Sequence, residues 1–225
     1  MAKSSRNHSS KGRPLRRKPE DRAPRRTFLV FCEGMVTEPL YLRALEQELA
    51  REMNAPVRLE ISKDSGAVPL TLVTKAVEAR ARPDGKWGEI DEVWCIFDVE
   101  WPQNHPDLKE ARALAERSEV KVAVSNPCFE LWLLLHIQDQ TAWLDTNAVK
   151  RRLKKHDSSE GKSLDGATYM PRRAEAATRA RSLEARHKGN GTKFPDDNPS
   201  SGMYLFLNAI EQPEGLQRGI DNLPS

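Results

Sequence analysis

The sequence predicts an α/β protein: a parallel four-stranded sheet flanked by helices, with a helical C-terminal extension. Two observations indicate this fold class. Short runs of apolar, β-branched and aromatic residues alternate along residues 27–140 with longer segments whose apolar residues recur at helical spacing. The first and third of these runs are apolar at nearly every position, as is typical of strands buried on both faces of a parallel sheet. Strands that alternate with helices pair in parallel through right-handed crossovers.

The first strand is predicted at 27–32 and stops at the dipeptide Glu33-Gly34. Thr37 can cap the helix that follows, with Pro39 inside its first turn. The other strands are predicted at 57–61, 92–97 and 119–124, and the helices at 38–51, 66–82, 107–118 and 128–138. Asp107 is expected to cap the third helix. The fourth helix is apolar on nearly its whole circumference, so it should be largely buried.

Beyond residue 140 the alternation of strands and helices ends. Helices are predicted at 146–155, 170–187 and 202–210, and the Gly/Pro/Asp/Asn-rich segment 188–201 is predicted to be a mobile loop. Residues 141–225 are therefore expected to form a helical C-terminal extension that packs on an α/β core of residues 27–140.

The composition fits one α/β domain with additions. The 225 residues carry a formal charge of +3, with 38% hydrophobic and 31% charged residues. Cys32, Cys95 and Cys128 form no CxxC pair, which favours buried free thiols in a reducing compartment over a zinc site. There is no apolar run of membrane-spanning length and no signal-peptide core at the N-terminus. We therefore expect a cytoplasmic protein that does not bind membranes.

Residues 1–26 are strongly basic. They hold ten Lys and Arg against Glu20 and Asp21, a net charge of +8, whereas the rest of the chain carries −5. With Leu15 as its one sizeable aliphatic residue, this tail cannot bury enough surface to fold alone. It is either a solvated, disordered leader or an electrostatic arm that binds nucleic acid without sequence preference.

Two of the predicted strands end in acidic residues: Glu33 follows the first, and Asp98 and Glu100 follow the third. The carboxyl ends of parallel strands lie at one edge of a sheet, where ligands bind, so these carboxylates can converge. In an extended segment Asp98 and Glu100 point to the same side. Three carboxylates without a nearby histidine suit Mg²⁺ or Mn²⁺, which can activate a water and neutralise charge on a phosphate. The alternative is that these acids only cap helices or mark strand ends.

Further residues near this edge have two interpretations each. Glu38 and Glu130 are either secondary catalytic or metal-binding acids, or ordinary acids in the first turn of a helix. Ser125 and Asn126 end the fourth strand at the same edge as a candidate substrate-binding pair. Asn126 either orients a phosphate or a water, or simply satisfies the turn. The role of His105, in the loop after the acidic pair, is left open.

A basic run occupies residues 150–155 and includes Arg151 and Arg152. It is either a solvated helix face or a surface that binds a phosphate backbone. Gly161-Lys162-Ser163 does not complete a P-loop, because the position of the earlier glycine is His156 and no strand precedes it. Lys162 can still stabilise transition-state charge if its segment folds over the acidic site.

Three blocks of the sequence resemble the RloB family. They are Phe31-Cys32-Glu33-Gly34 with Thr37-Glu38, then Phe97-Asp98-Val99-Glu100, and then the twelve residues from Ser125 to His136, which are the most specific. Asn198-Pro199-Ser200-Ser201 is a weaker fourth element. The resemblance spans about residues 27 to 210. It implies a Toprim-like fold in which the Glu and the acidic pair hold a divalent metal, here with Glu100 in place of the usual Asp.

The resemblance also implies a role in anti-phage defence, since such proteins are often encoded beside an AAA-type ATPase. We therefore predict a Mg²⁺-dependent Toprim-type nuclease that acts with an ATPase partner, with Glu33, Asp98 and Glu100 at its centre. The alternative is a non-catalytic subunit that binds nucleic acid or a partner and regulates an ATPase. The choice between DNA and RNA and the oligomeric state, a homo-oligomer included, stay open.

Deleting residues 1–26 is expected to weaken nucleic-acid binding and to flatten its salt dependence, because each Lys or Arg that contacts a phosphate releases counterions. The melting temperature should change little. Affinity titrations at several salt concentrations, with the full chain as control, test this expectation. Equal affinities and equal salt slopes with and without the tail would rule out the arm.

Overall fold

A five-stranded, mostly parallel sheet forms the centre of the part of the chain that the structure describes. The structure is a computed structural model, and it describes residues 26–52, 57–64, 66–82, 89–157 and 164–211. The strands are β1 (Arg26–Cys32), β2 (Val57–Ile61), β3 (Glu92–Asp98), β4 (Lys121–Asn126) and β5 (Ser200–Ser201). Their order is β2-β1-β3-β4-β5, with β1 to β4 parallel and β5 antiparallel to β4. The predicted α/β class is confirmed.

Helices cover both faces of the sheet. They are α1 (Thr37–Glu52), α2 (Pro69–Arg80), α3 (Leu108–Arg117), α4 (Phe129–Leu135), α5 (Thr146–Lys154), α6 (Gly166–Tyr169), α7 (Arg173–Gly189) and α8 (Met203–Glu211). Among the described residues, none of these helices combines the length and the apolar character that a membrane span requires. The predicted cap of α3 is wrong: Asp107 has a φ of +60° and its side chain makes no capping hydrogen bond.

The predicted count of four strands is also wrong, because β5 adds a short edge strand. It lies at the end of segment 188–201, for which the composition predicts a mobile loop. Ser201 pairs with Ser125, and Ser200 pairs with Asn126. Two serines have neither the length nor the apolar alternation by which a strand is recognised in a sequence. β5 instead forms because it pairs with the otherwise open edge of β4.

Successive side chains of β1 and β3 enter two separate apolar layers, as the pleat of a strand requires. Phe28 of β1 and Trp94 of β3 face one layer, in which α1 and α4 pack together with α5, α7 and α8. Leu29 and Cys95 face the other layer, which α2 and α3 complete. Phe206 of α8 contacts Trp94 edge to face, with 5.1 Å between the ring centroids. The C-terminal helices therefore share a core with α1 and α4.

Arg26 belongs to β1, although the predicted basic tail ends with it. Its guanidinium donates hydrogen bonds to the Ala209 carbonyl at 2.8 Å and to Glu92 Oε1 at 3.0 Å. The rest of the predicted tail, residues 1–25, lies outside the described residues. A truncation that leaves these contacts intact ends at residue 25.

Trp132 of α4 is expected to be critical for stability. Its side chain is fully buried, and its ring lies 4.8 Å from that of His136 and 6.2 Å from that of Tyr41. Trp132→Ala should lower the free energy of unfolding by about 3–5 kcal/mol, because a large cavity remains. That is a large share of the stability of one domain, so we expect a steep fall in melting temperature or aggregation.

A thermal melt of the soluble variant beside the parent tests this expectation. Trp143→Ala is the matched control, because the Trp143 side chain is 52% exposed and its truncation should leave the melting temperature nearly unchanged. A Trp132→Ala melt within about one degree of the parent would contradict the expected loss of packing.

Candidate functional site

The ends of β1 and β3 meet because these two strands are neighbours in the sheet and pair in parallel. Glu33 follows β1 directly, and its backbone N–H donates to the Ile96 carbonyl of β3 at 2.9 Å. In return, Glu33 Oε2 accepts a hydrogen bond of 2.9 Å from the backbone N–H of Asp98. The backbone pairing thus fixes the side chain of Glu33 against the end of β3, as the sequence predicts for the first two acids.

The carboxylate of Asp98 is buried with incomplete hydrogen bonding. The residue is 9% exposed, and its Oδ1 has no hydrogen-bond partner in the part of the chain that the structure describes. Burial raises the pKa of Asp98 well above its usual value, and the charges of Glu38 and Glu33 raise it further. The backbone N–H of Phe129, at the start of α4, offsets part of this rise. An unsatisfied carboxylate oxygen among other carboxylates is a position that favours a cation.

Glu38 is buried beside this carboxylate, in the first turn of α1. It is 5% exposed, and burial together with the charges of Glu130 and Glu33 raises its pKa from 4.5 to about 7. Its Oε1 accepts a 3.0 Å hydrogen bond from the Gly34 N–H. A Cβ at position 34 would lie 1.8 Å from Glu38 Oε2, so only glycine allows this close approach.

His105 and Glu33 form a close pair in the same region. His105 Nε2 lies 2.5 Å from Glu33 Oε1. Burial raises the pKa of Glu33, whereas the Asp98 N–H and His105 act in the opposite direction. The sequence left the role of His105 open and predicted no histidine near the three carboxylates; the second expectation is wrong, because His105 lies next to Glu33.

Glu100, Glu130 and Lys150 complete the lining of a cavity of about 320 Å³ that also includes Glu33 and Asp98. Glu100 has a φ of +64°, so the extended conformation predicted for it is wrong, yet the residue still lines the cavity. Lys150 Nζ lies 3.6 Å from Glu130 Oε1. Burial alone would lower the pKa of Lys150, but Glu130 and the other acids raise it, so the ammonium group stays charged.

The predicted substrate-binding residues are not among those that line this cavity, although Ser125 is the direct neighbour of Asp98 in the sheet. Ser125 Oγ is 3.1 Å from Ser201 Oγ, and Asn126 Nδ2 donates to the Pro195 carbonyl and to Asp197 Oδ1. Their side chains therefore hold the C-terminal segment. On α5, the exposed Arg151 and the half-buried Arg152, which donates to Gln140, also do not line the cavity.

The candidate transition-state lysine, Lys162, lies outside the described residues. Lys150, from the basic run just before it, is the lysine that lines the carboxylate cavity. Sequence reasoning included Lys150 in that run without assigning it to the site. One feature of the sequence could have indicated this role: Lys150 lies on the first helix after the block from Ser125 to His136, which is the most specific of the family blocks.

The donor set fits a hard divalent cation held mainly by oxygen. Within the described ranges, no three His, Cys, Asp or Glu side chains form a ready-made metal-binding cluster. Mg²⁺ does not require one, since it commonly binds one or two carboxylates and keeps several waters. Burial first, and neighbouring carboxylates second, raise the pKa values of Asp98 and Glu38, and Asp98 Oδ1 has no hydrogen-bond partner among the described residues, so a divalent ion would favour the ionised forms of these acids.

The fold and the cavity define a class of protein: an α/β protein with clustered carboxylates at the carboxyl edge of a parallel sheet. Comparison with protein families narrows this class. A family model described as RloB-like protein matches residues 28–210. The chain therefore belongs to the RloB-like family, as the sequence blocks predict. No curated protein and no solved structure shows a significant match to it.

The raised pKa of Glu38 is expected to make stability depend on pH. The unfolded chain loses this proton near pH 4.5, whereas the folded chain keeps it until about pH 7. Between these pH values the folded state therefore binds one proton more than the unfolded chain. As a result, the contribution of Glu38 to the free energy of unfolding falls as pH rises from about 4.5 to 7, and it stays constant at higher pH. Glu38→Gln keeps an acceptor for the Gly34 N–H. It should abolish the decrease of about 3 kcal/mol in the free energy of unfolding that Glu38 causes between these pH values.

Denaturant unfolding in metal-free buffer across this pH range, for the parent and for Glu38→Gln, measures the difference. Glu110→Gln is the matched control, since Glu110 is an exposed acid in the first turn of α3. Its curve should run parallel to that of the parent. If the Glu38→Gln curve does the same, the buried charge of Glu38 is not the source of the pH dependence.

Proposed function

We propose that the protein is a divalent-metal-dependent phosphodiesterase that cleaves nucleic acid. The observation that carries this proposal is the buried Asp98 carboxylate, whose free Oδ1 lies among Glu33, Glu38 and Glu130. Such an arrangement costs stability unless a ligand compensates the charge. Mg²⁺ or Mn²⁺ is the ligand that suits this all-oxygen donor set.

Asp98 and Glu33 are the proposed principal metal ligands, with Glu100 and Glu130 as further ligands from the same cavity. When bound, such an ion supplies positive charge for a phosphate oxygen and lowers the pKa of a coordinated water. His105 contributes indirectly, because its Nε2 lies next to Glu33 Oε1 and restricts the space available to that carboxylate.

Two further side chains supply proton transfer and charge. Glu38 is the proposed general acid or base: it lies in the cavity lining beside Asp98, and its pKa of about 7 in the metal-free chain shows that its carboxyl group can hold a proton there. Its Oε1 is held by the Gly34 N–H, which leaves Oε2 to carry the proton. Lys150 adds an ammonium group to the cavity lining next to Glu130, where it can bind a phosphate oxygen and stabilise negative charge in the transition state.

Nucleic acid is the proposed substrate because the chain carries cationic groups that suit a phosphate backbone. Lys150 lines the cavity, Arg151 follows it on α5, and the sequence of residues 1–26 carries a net charge of +8. The Toprim relationship, the cytoplasmic role in anti-phage defence and the ATPase partner are also part of the proposal. They are supported by the family resemblance and by the acids that follow the adjacent strands β1 and β3.

A non-catalytic subunit is the second candidate. One observation favours it: the described residues contain no preformed cluster of three metal ligands. On this alternative, the cavity would bind a cation or a basic group of a partner without cleaving a substrate. Metal binding in the absence of any phosphodiesterase activity would support it.

Asp98→Asn is expected to abolish metal-dependent cleavage while the protein stays folded, because the change removes charge but hardly any volume. Two readouts test this. One is cleavage of single-stranded and duplex DNA and RNA with Mg²⁺ or Mn²⁺. The other is the rise in melting temperature that either ion produces in the parent, which the variant should lose. In metal-free buffer at pH 7 the variant should melt no lower than the parent, since a buried charge is gone.

Asp107→Asn serves as the matched control, because Asp107 is exposed and makes no capping hydrogen bond. It should keep both the cleavage and the metal-induced stabilisation. Full nuclease activity in Asp98→Asn would show that the proposed site is wrong.

A further inference from the structure

Trp143 is a large aromatic side chain displayed on the surface next to the candidate site. It is 52% exposed and packs edge to face on Trp101, with 5.5 Å between the ring centroids and 87° between the ring planes. This contact takes up at most one face of the Trp143 ring. Single exposed apolar residues are ordinary, but an exposed tryptophan supported by a second one is a different feature.

The segment that carries Trp143 is held rigidly on both sides. Asn198 Oδ1 accepts from the Leu144 N–H at 3.2 Å, and Asn198 Nδ2 donates to the Leu144 carbonyl at 2.8 Å. Gln140 Nε2 donates to the Ala142 carbonyl at 2.5 Å. Both neighbours of Trp143 in the chain are thus fixed by side chains, so little conformational freedom remains to be lost when a ligand binds.

The tryptophan pair lies beside the carboxylate cavity. Trp101 directly follows Glu100, which lines that cavity. The Trp101 carbonyl accepts a 3.2 Å hydrogen bond from the N–H of Thr146, the first residue of α5. Lys150, also in the cavity lining, is one helical turn further along α5, about 6 Å away along the axis.

We propose that Trp143 is a stacking platform for an unpaired nucleobase next to the scissile phosphate, with Trp101 as its support. This inference rests on the proposed function and specifies its substrate: a single-stranded segment, of DNA or of RNA. An aromatic ring beside cationic side chains is the usual arrangement for single strands, because every base presents a face that can stack. Here Lys150 and the exposed Arg151 supply the cations for the backbone phosphates.

Binding of labelled oligonucleotides to the full chain tests the platform. The probes are one short single strand, prepared as DNA and as RNA, and the duplex of the same sequence. Fluorescence anisotropy is measured with Ca²⁺ replacing Mg²⁺, and strand integrity is checked afterwards. Trp143→Ala should weaken single-strand binding about tenfold. Trp143→Phe should retain most of the affinity, and neither change should affect duplex binding.

Leu205→Ala is the matched control, since Leu205 is a 43% exposed apolar residue on α8, and it should bind like the parent. Unchanged single-strand affinity in Trp143→Ala overturns the platform, and so does an equal loss on the duplex or a parent that binds no single strand. An unchanged affinity is also the result expected if Trp143 contacts a partner protein instead. Preference of the parent for RNA or for DNA identifies the source of the base.

The assay separates this inference from the proposed function, because it measures binding and requires no cleavage. A parent that binds single strands through Trp143 but cleaves nothing supports the platform and refutes the phosphodiesterase. A parent that cleaves with metal but is unaffected by Trp143→Ala refutes the platform alone.

Discussion

The burial of the Asp98 carboxylate between the ends of β1 and β3 is the constraint on which the candidate site depends. Parallel pairing of these strands brings Glu33 against the Asp98 backbone, and the start of α4 closes over the Asp98 side chain. Gly34 leaves room for Glu38 to approach from α1. Glu33 and Glu38 each accept a hydrogen bond from a backbone N–H, and this backbone is anchored by the hydrophobic core, so the acids are held close together.

The C-terminal extension is attached to the sheet at the edge where the candidate site lies. Ser125 and Asn126, at the end of β4, bind Ser201 and the segment containing Pro195 and Asp197 instead of lining the cavity. In the same segment Asn198 fixes the backbone beside Trp143. The weak Asn-Pro-Ser-Ser element therefore has a physical role: it ties the last third of the chain to the edge of the sheet where the carboxylates gather.

Sequence reasoning was most successful where burial dictates pattern. The first and third strands follow from continuous apolar runs, and Glu33, Asp98 and Glu100 share an edge because the strands are parallel. It failed where contacts are made by single polar side chains between distant segments. β5 has no pattern of its own, and Lys150 reaches the cavity only through the packing of α5 on α4. The left-handed conformation of Glu100 likewise has no sequence signal, since glutamate rarely adopts it.

A purely structural role does not account for the carboxylate cluster. Apolar residues of similar volume would fill the same space without the desolvation cost of burying several charges, and replacing buried charges in this way is often neutral or stabilising. The adjacent core already consists of such residues, among them Phe129 and Leu131 of α4. A scaffold that packs well yet buries an acid with an oxygen unpaired among the described residues, as this chain does at Asp98, has lower stability in the unliganded state. On the proposed function, a bound cation would return that stability, because any ligand that binds only the folded chain shifts the folding equilibrium towards it.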